Sequence, residues 1–144
     1  MAKKIISLLI LLMLPAVCIA EQESVVLKGV PVIQNKSTVE GSSNITLTKS
    51  QQEESKLIIT KNGQKYYWAT RQNRELTKHV SGIYTIFLDT RGAGYVKAMQ
   101  SGDKVFYIEH MSLGLETITY WGTADYLRPQ SNEYFREPLL RPTP

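Results

Sequence analysis

The sequence predicts an all-β protein: a small antiparallel β-meander of about six strands that forms a strongly twisted sheet or a small barrel. Three observations support this prediction. Residues 82–122 contain four short runs of β-branched and aromatic residues, as strands do. Turn chemistry separates these runs around Gly92, Gly102 and Gly114. Eleven of the thirteen aromatic residues fall between positions 66 and 126, where a core of paired strands would use them.

The first twenty residues have the pattern of a signal peptide that is removed on export. Lys3 and Lys4 precede an apolar run over residues 5–14, and Ala20 ends the segment with a small side chain. The run is shorter than the roughly 20 apolar residues that a membrane helix needs, and no second run follows. We expect a periplasmic or secreted protein with no transmembrane segment after cleavage. Lipidation at Cys18 is the alternative.

Composition narrows the classes of function. Cleavage after Ala20 leaves 124 of the 144 residues, enough for one domain, and removes the single cysteine. Disulfides, thiolate chemistry and cysteine-based zinc sites are thereby excluded. Loss of Lys3 and Lys4 lowers the formal charge from +4 to +2, and the remaining basic residues are scattered. A nucleic-acid partner, which requires clustered lysine and arginine, is not expected.

The chain divides into segments of different composition. Residues 21–55 form a polar leader that we expect to be flexible, although Val25–Ile33 would also suit an edge strand because of Pro31. Residues 56–128 are the predicted β-meander domain. Residues 129–144 are a proline-rich tail, in which a helix is not expected.

An early hairpin is predicted where two apolar runs flank Asn62-Gly63. This dipeptide favours a type I′ turn, because both residues tolerate a positive φ. A turn centred there places Ile59 opposite Tyr66, an aliphatic–aromatic pair of the kind that stabilises a register.

A binding surface is predicted from the strand register of the hairpin formed by residues 95–110. A three-residue loop at 101–103 collects apolar residues on one face and places Tyr95, Lys97, Tyr107 and Glu109 on the other. Tyrosines among charges suit a protein or glycan partner, since the ring offers an apolar body with a polar edge. The alternative is that the C-terminal tail covers this face.

The segment over residues 70–81 is polar and lacks a helical apolar stripe, so the sequence predicts a long loop with at most one helical turn. Long loops inside compact domains are often functional. Arg71 and Arg74 are therefore included among the candidate binding residues.

Catalytic signatures are weak. No nucleophile elbow or phosphate-binding glycine loop is present, and His79 and His110 are too few for a zinc site without other ligands. We predict no catalytic residues, cofactor or metal, and a non-catalytic binding module. The alternative is a small hydrolase that uses His110 with Glu109 or Glu116, the latter placed opposite His110 by the predicted last hairpin.

Overall fold

The computed structural model describes residues 23–127 and is an all-β structure: a closed eight-stranded antiparallel barrel with one extra strand. The elements are β1 Ser24–Thr38, β2 Gly41–Thr46, α1 Lys49–Glu54, β3 Leu57–Asn62, β4 Lys65–Trp68, β5 Arg74–Ser81, β6 Tyr84–Asp89, β7 Gly94–Ser101, β8 Lys104–Leu113 and β9 Glu116–Leu127. The all-β class is confirmed, and the barrel is the architecture formed. The predicted signal peptide at 1–20 and the tail at 129–144 lie outside the described residues.

The barrel is a meander that the first strand closes. Each strand from β3 to β9 pairs with the next, and β1 pairs with both β3 and β9. The second half of β1 also pairs with β2 on the edge that β3 leaves free. Nine strands therefore replace the six that the sequence predicted.

The expectation of a flexible leader at 21–55 is wrong for the described part of that segment, because β1 lies within the barrel wall. Pro31 is tolerated there for two reasons. On one edge of β1, pairing with β3 ends at Gly29 and pairing with β2 begins at Ile33, so no N–H donor is needed at position 31. On the other edge, the register shifts between Pro31 and Ile33, and such bulges are where strands accommodate proline.

The predicted loop at 70–81 is also wrong, because most of it is strand β5. The sequence of β5 does not alternate between apolar and polar residues, because some polar residues face inwards. Arg74 and Lys78 lie on the same face as the buried Leu76. A strand with two charged residues on its inner face does not show the apolar alternation on which the sequence interpretation relied.

Three tight turns share one end of the barrel, here called the turn end. Each places glycine at the first of two loop positions, and Gly63, Gly82 and Gly102 all have a φ of 58°. This is the glycine position of a type II′ turn. The first hairpin is therefore centred on Gly63-Gln64, one residue later than predicted, and Ile59 faces Trp68 rather than Tyr66.

The same geometry corrects the register between β7 and β8. The loop has two residues, so Lys97 faces Ile108 and Tyr95 faces His110. The predicted three-residue loop assumed that one face would be wholly apolar. In the barrel both faces carry apolar residues, and Glu109 points inwards, so that assumption fails.

The opposite end, here called the helix end, carries α1 beside β1. Thr48 caps this helix: its hydroxyl accepts from the Gln51 N–H, and the Gln51 side chain accepts from the Thr48 N–H. Among residues 23–127, no helix has the length and apolar character that crossing a membrane requires.

Side chains occupy the interior, as the width of an eight-stranded barrel leads one to expect. The most deeply buried apolar members are Leu27, Leu57, Ile59, Trp68, Phe87, Val96 and Ala98. They come from five of the eight barrel strands, so the core depends on the barrel being closed.

Gly122→Ala should prevent tight closure between β1 and β9. A Cβ at Gly122 would lie 2.2 Å from the carbonyl oxygen of Val30 and 2.8 Å from Cα of Pro31. Because backbone cannot move aside as a flexible side chain can, we expect a loss of about 3 kcal/mol or more in the free energy of unfolding, measured with urea.

The matched control is Gly102→Ala. Nothing lies within 4 Å of a Cβ there, and the only penalty is the positive φ, which costs about 1–2 kcal/mol. Equal losses in the two variants would contradict the account of closure.

Candidate functional site

A buried carboxylate organises the helix end of the barrel. The Glu109 side chain is fully enclosed, and its Oε1 accepts a 3.0 Å hydrogen bond from the Trp68 indole N–H. Its Oε2 accepts from Nη2 of Arg71, also at 3.0 Å, and Nε of Arg71 lies 3.0 Å from Oε1. Both carboxylate oxygens therefore have partners, which is what allows a charged group to be buried at all.

Arg71 joins three parts of the chain through this contact. Its guanidinium also donates to the carbonyl oxygens of Thr70 and Ser55, at 3.1 and 3.3 Å, and lies 5.8 Å from the centroid of the Tyr120 ring. The β4–β5 loop and the C-terminus of α1 are thus fixed to the barrel interior. Arg71 closes the helix end rather than opening a path into it.

Burial dominates the electrostatics of the cluster. Loss of solvent raises the pKa of Glu109 to about 7, against the opposing effects of the Arg71 charge and the Trp68 hydrogen bond. Burial likewise raises the pKa of the neighbouring Tyr107, whose hydroxyl has no hydrogen-bond partner among the described residues. Tyr107 is therefore a neutral core residue.

A second buried ion pair lies nearby. Nη1 of Arg74 donates to Oδ2 of Asp89 at 2.9 Å, and the Asp89 side chain is fully enclosed. Oδ1 of Asp89 accepts from the Arg91 N–H at 2.9 Å, which holds the β6–β7 turn. Through Asp89, Arg74 thus connects β5 to the start of this turn, so its contact is a structural one.

A band of largely apolar side chains lies on the outside of β1 and β6–β9, here called the outer apolar face. Direct cross-strand pairing defines it, since paired residues share a face: Leu88 with Tyr95, Ile86 with Lys97, Lys97 with Ile108, Ile108 with Trp121, Trp121 with Ile33, Tyr84 with Met99, and Met99 with Phe106.

These side chains remain accessible to solvent. Ile33 and Phe106 are each 42% exposed, Leu88 is 40% exposed and Trp121 is 38% exposed. The Trp121 ring also borders a shallow apolar depression of about 610 Å³ beside β2. Contiguous exposure of this kind is uncommon on a monomer and marks interaction sites.

Lys97 is the only charged residue among the ten members of the outer apolar face. Its ammonium lies 3.9 Å from the centroid of the Tyr84 ring, a cation–π contact that holds the side chain across the face. Outward positions on the neighbouring strands β4 and β5 are more polar and include Tyr67, Glu75 and Thr77. Among outward positions of the barrel strands, apolar side chains are therefore concentrated on β1 and β6–β9.

The structure separates the residues that the sequence analysis grouped as one binding surface. Tyr95 and Lys97 lie on the outer apolar face, whereas Tyr107 and Glu109 are enclosed in the barrel. Arg71 joins Glu109, but in the interior, and Arg74 joins Asp89. Residues such as Phe106, Ile108 and Trp121 were not predicted as site residues. The signal that could have found them is Gly102. As the first residue of a two-residue loop, it sets the register that turns these side chains outwards.

The residues of the hydrolase alternative are not brought together. His110 and Glu109 point to opposite sides of β8. The His110 ring stacks on Tyr95 with 5.3 Å between centroids, and its Nδ1 lies 2.9 Å from the Thr119 hydroxyl oxygen. Glu116 instead forms an ion pair with Lys36 at 2.9 Å. Within residues 23–127 no three His, Cys, Asp or Glu side chains form a group that could hold a metal ion.

No family model matches this chain, and neither the curated proteins nor the solved structures that were compared with it contain a match.

The burial of Glu109 makes stability depend on pH. Its pKa is raised from 4.5 to about 7 on folding, so the folded state retains a proton that the unfolded state loses. The contribution of Glu109 is therefore full below pH 4.5 and declines as pH rises to about 7, by about 3 kcal/mol. Urea unfolding across this range should show this decline in the difference between the wild type and Glu109→Gln.

Glu109→Gln keeps an acceptor for Trp68 but cannot titrate, so it isolates the proton. The quantity to compare is the difference in free energy of unfolding between the two proteins at each pH, since other groups titrate equally in both. A constant difference from pH 4.5 to 7 would show that Glu109 ionises normally in the folded protein.

Proposed function

We propose that this protein is an exported, non-catalytic binding module that holds another protein against its outer apolar face. The observation that carries the proposal is the continuous exposure of apolar and aromatic side chains across five neighbouring strands. The core does not need these residues, because they point away from it.

Their chemistry favours a protein partner over a glycan. Tyrosine, tryptophan, phenylalanine and methionine are enriched at the centres of protein interfaces, where charged residues are depleted. Met99, Phe106 and Ile108 offer no hydrogen bonds to sugar hydroxyls. A barrel wall is also convex on its outside, so it suits a broad contact rather than an enclosed small ligand.

Charge narrows the partner further. Lys97 lies at the middle of the outer apolar face, and no carboxylate is among the ten residues that define it. A partner that covers this face would desolvate the ammonium, which is costly unless an acidic group meets it. We therefore assign the partner an apolar surface with a carboxylate near its centre.

Export is the second part of the proposal. It is supported by the basic and apolar pattern of residues 1–20 and by the absence of cysteine from the rest of the chain. The mass of the protein purified from its native host tests it: a mature chain beginning at Glu21 is expected, and lipidated Cys18 at the N-terminus would indicate the anchored alternative.

Phe106→Ser and Trp121→Ser should each weaken partner binding by about 2 kcal/mol, as truncation of an aromatic at an interface centre does. Wild type and variants are used as bait on the native envelope fraction, and the affinity of the captured protein is then measured with purified components. Thermal stability should fall only modestly, because both side chains point away from the core, with Phe106 42% and Trp121 38% exposed. Tyr67→Ser, on the polar side of the barrel, is the matched control.

Lys97→Glu sharpens this test, since reversed charge should weaken the same complex through repulsion. Capture that persists in all three outer-face variants would contradict the proposal. Loss of a concentration-dependent dimer in these variants, seen by sedimentation, would identify a second copy of the chain as the occupant instead. Elution by free sugars would identify a glycan.

A further inference from the structure

The barrel wall has a gap at the turn end, here called the notch. Strand β5 spans Arg74–Ser81, but β4 pairs with it only as far as Leu76, because the β3–β4 hairpin turns at Gly63. Beyond Leu76, no β4 residue is paired with β5, although β5 continues to pair with β6 on its other edge. The backbone on this edge of β5 thus lacks a strand partner over about five residues.

Two lysines project into the notch from the inner face of the barrel. Lys61 is paired directly with Tyr66, and Lys78 directly with the buried Phe87, so both share the face of core residues. Their ammonium nitrogens lie 5.9 and 5.6 Å from the centroid of the same ring, that of Tyr66. Two cations from different strands thus lie within 6 Å of the centroid of one aromatic ring.

No anion neutralises this pair within the described residues. Neither Lys61 nor Lys78 makes an ion pair there, whereas the adjacent Lys65 is bound to Glu75 at 3.0 Å. Burial, together with the charge of Lys61, lowers the pKa of Lys78. The two like charges therefore carry an electrostatic cost in the free protein that a bound anion would remove.

The notch also has space for a ligand. A cavity of about 370 Å³ lies here, and Lys78 is among its lining residues whereas Lys61 is not. The lining consists of Gln64, Lys65, Tyr66, Glu75, Leu76, Thr77, Lys78 and Val80. This volume is within the range of small-molecule sites. The lining is mostly polar, and its one carboxylate, Glu75, is paired with Lys65.

We propose that the notch is a binding site for a small organic anion, whose carboxylate or phosphate group binds Lys78 and whose body rests against Tyr66 and Leu76. Lys61, beside the same Tyr66 ring, adds its charge to the attraction. Lysine ammonium groups recognise both kinds of oxyanion as point charges, so the shared chemistry is the negative oxygen group. The site is separate from the outer apolar face, and its failure would leave the proposed function untouched.

Titration of the full mature chain with inorganic phosphate and, separately, with benzoate tests the proposal. NMR of the lysine side-chain ¹³Cε signals reports binding at the residue concerned. Saturable shifts of Lys61 and Lys78 are expected with at least one anion. Stronger binding of benzoate would assign a carboxylate with an apolar body, and stronger binding of phosphate a phosphate group.

Lys78→Gln should weaken this binding about tenfold or more, since it removes a charged partner of the anion. Lys61→Gln is a second variant with the same expected effect. Lys104→Gln, an exposed lysine at the same end of the barrel, makes the same change in net charge and should leave the affinity within twofold. Circular dichroism confirms that each variant is folded.

Three results would overturn the proposal. One is the absence of saturable shifts with both anions. Another is equal weakening by Lys104→Gln, which would indicate attraction by net charge alone. The third is full affinity in both Lys61→Gln and Lys78→Gln.

Discussion

The pairing of β1 with β9 is the constraint on which the structure depends, because it turns a meander into a closed wall. Its closest contact surrounds Tyr107. A Cβ at Gly29 of β1 would lie 2.4 Å from the Tyr107 ring, and one at Gly122 of β9 would lie 2.8 Å from it. The ring thus occupies room that the two closing strands leave by lacking side chains there. The pairing that closes the barrel therefore also buries Tyr107.

Closure also explains why charged residues are found inside. Once β1 seals the wall, Glu109 has no route to solvent, and Arg71 is the group that meets it at the helix end. Trp68 supplies the remaining hydrogen bond. Because removal of one member would leave another buried and unpaired, the cluster specifies a single arrangement of the β4–β5 loop. A core arranged in this way stabilises the barrel wall.

The sequence predicted the class of fold well and its pairing poorly, and the reason is physical. Runs such as those around Phe87 and Val96 are β-branched and aromatic enough to identify strands. Pairing depends on the turn, and a shift of one residue at Gly102 inverts the faces of everything that follows. Glu109 reinforced the wrong choice, since a carboxylate on a strand normally faces water. Only three-dimensional proximity to Arg71 reverses that expectation.

The candidate site was predictable in part for the same reason. Tyr95 and Lys97 precede the misplaced turn, and the inference that they belong to an accessible surface did not require the right partner across the hairpin. Tyr107 and Glu109 follow the turn and were assigned to the wrong side. Lys78 was missed for another reason: a lysine on the inner face of a strand breaks the alternation by which that strand would have been recognised.

The fold itself does not require apolar residues on the outside of the wall. Interior positions are fixed by packing, but outward positions such as Ile33, Phe106 and Trp121 touch little of the core, and polar β-formers such as threonine would pair there equally well. Thr77 and Thr123, which pair with Leu88 and Phe106 at the outer apolar face, show that threonine fits such positions. Exposed apolar side chains also favour aggregation, so they carry a disadvantage that the fold does not require. Their concentration on the outside of β1 and β6–β9 is the property that the proposed partner would account for, because a partner would cover them.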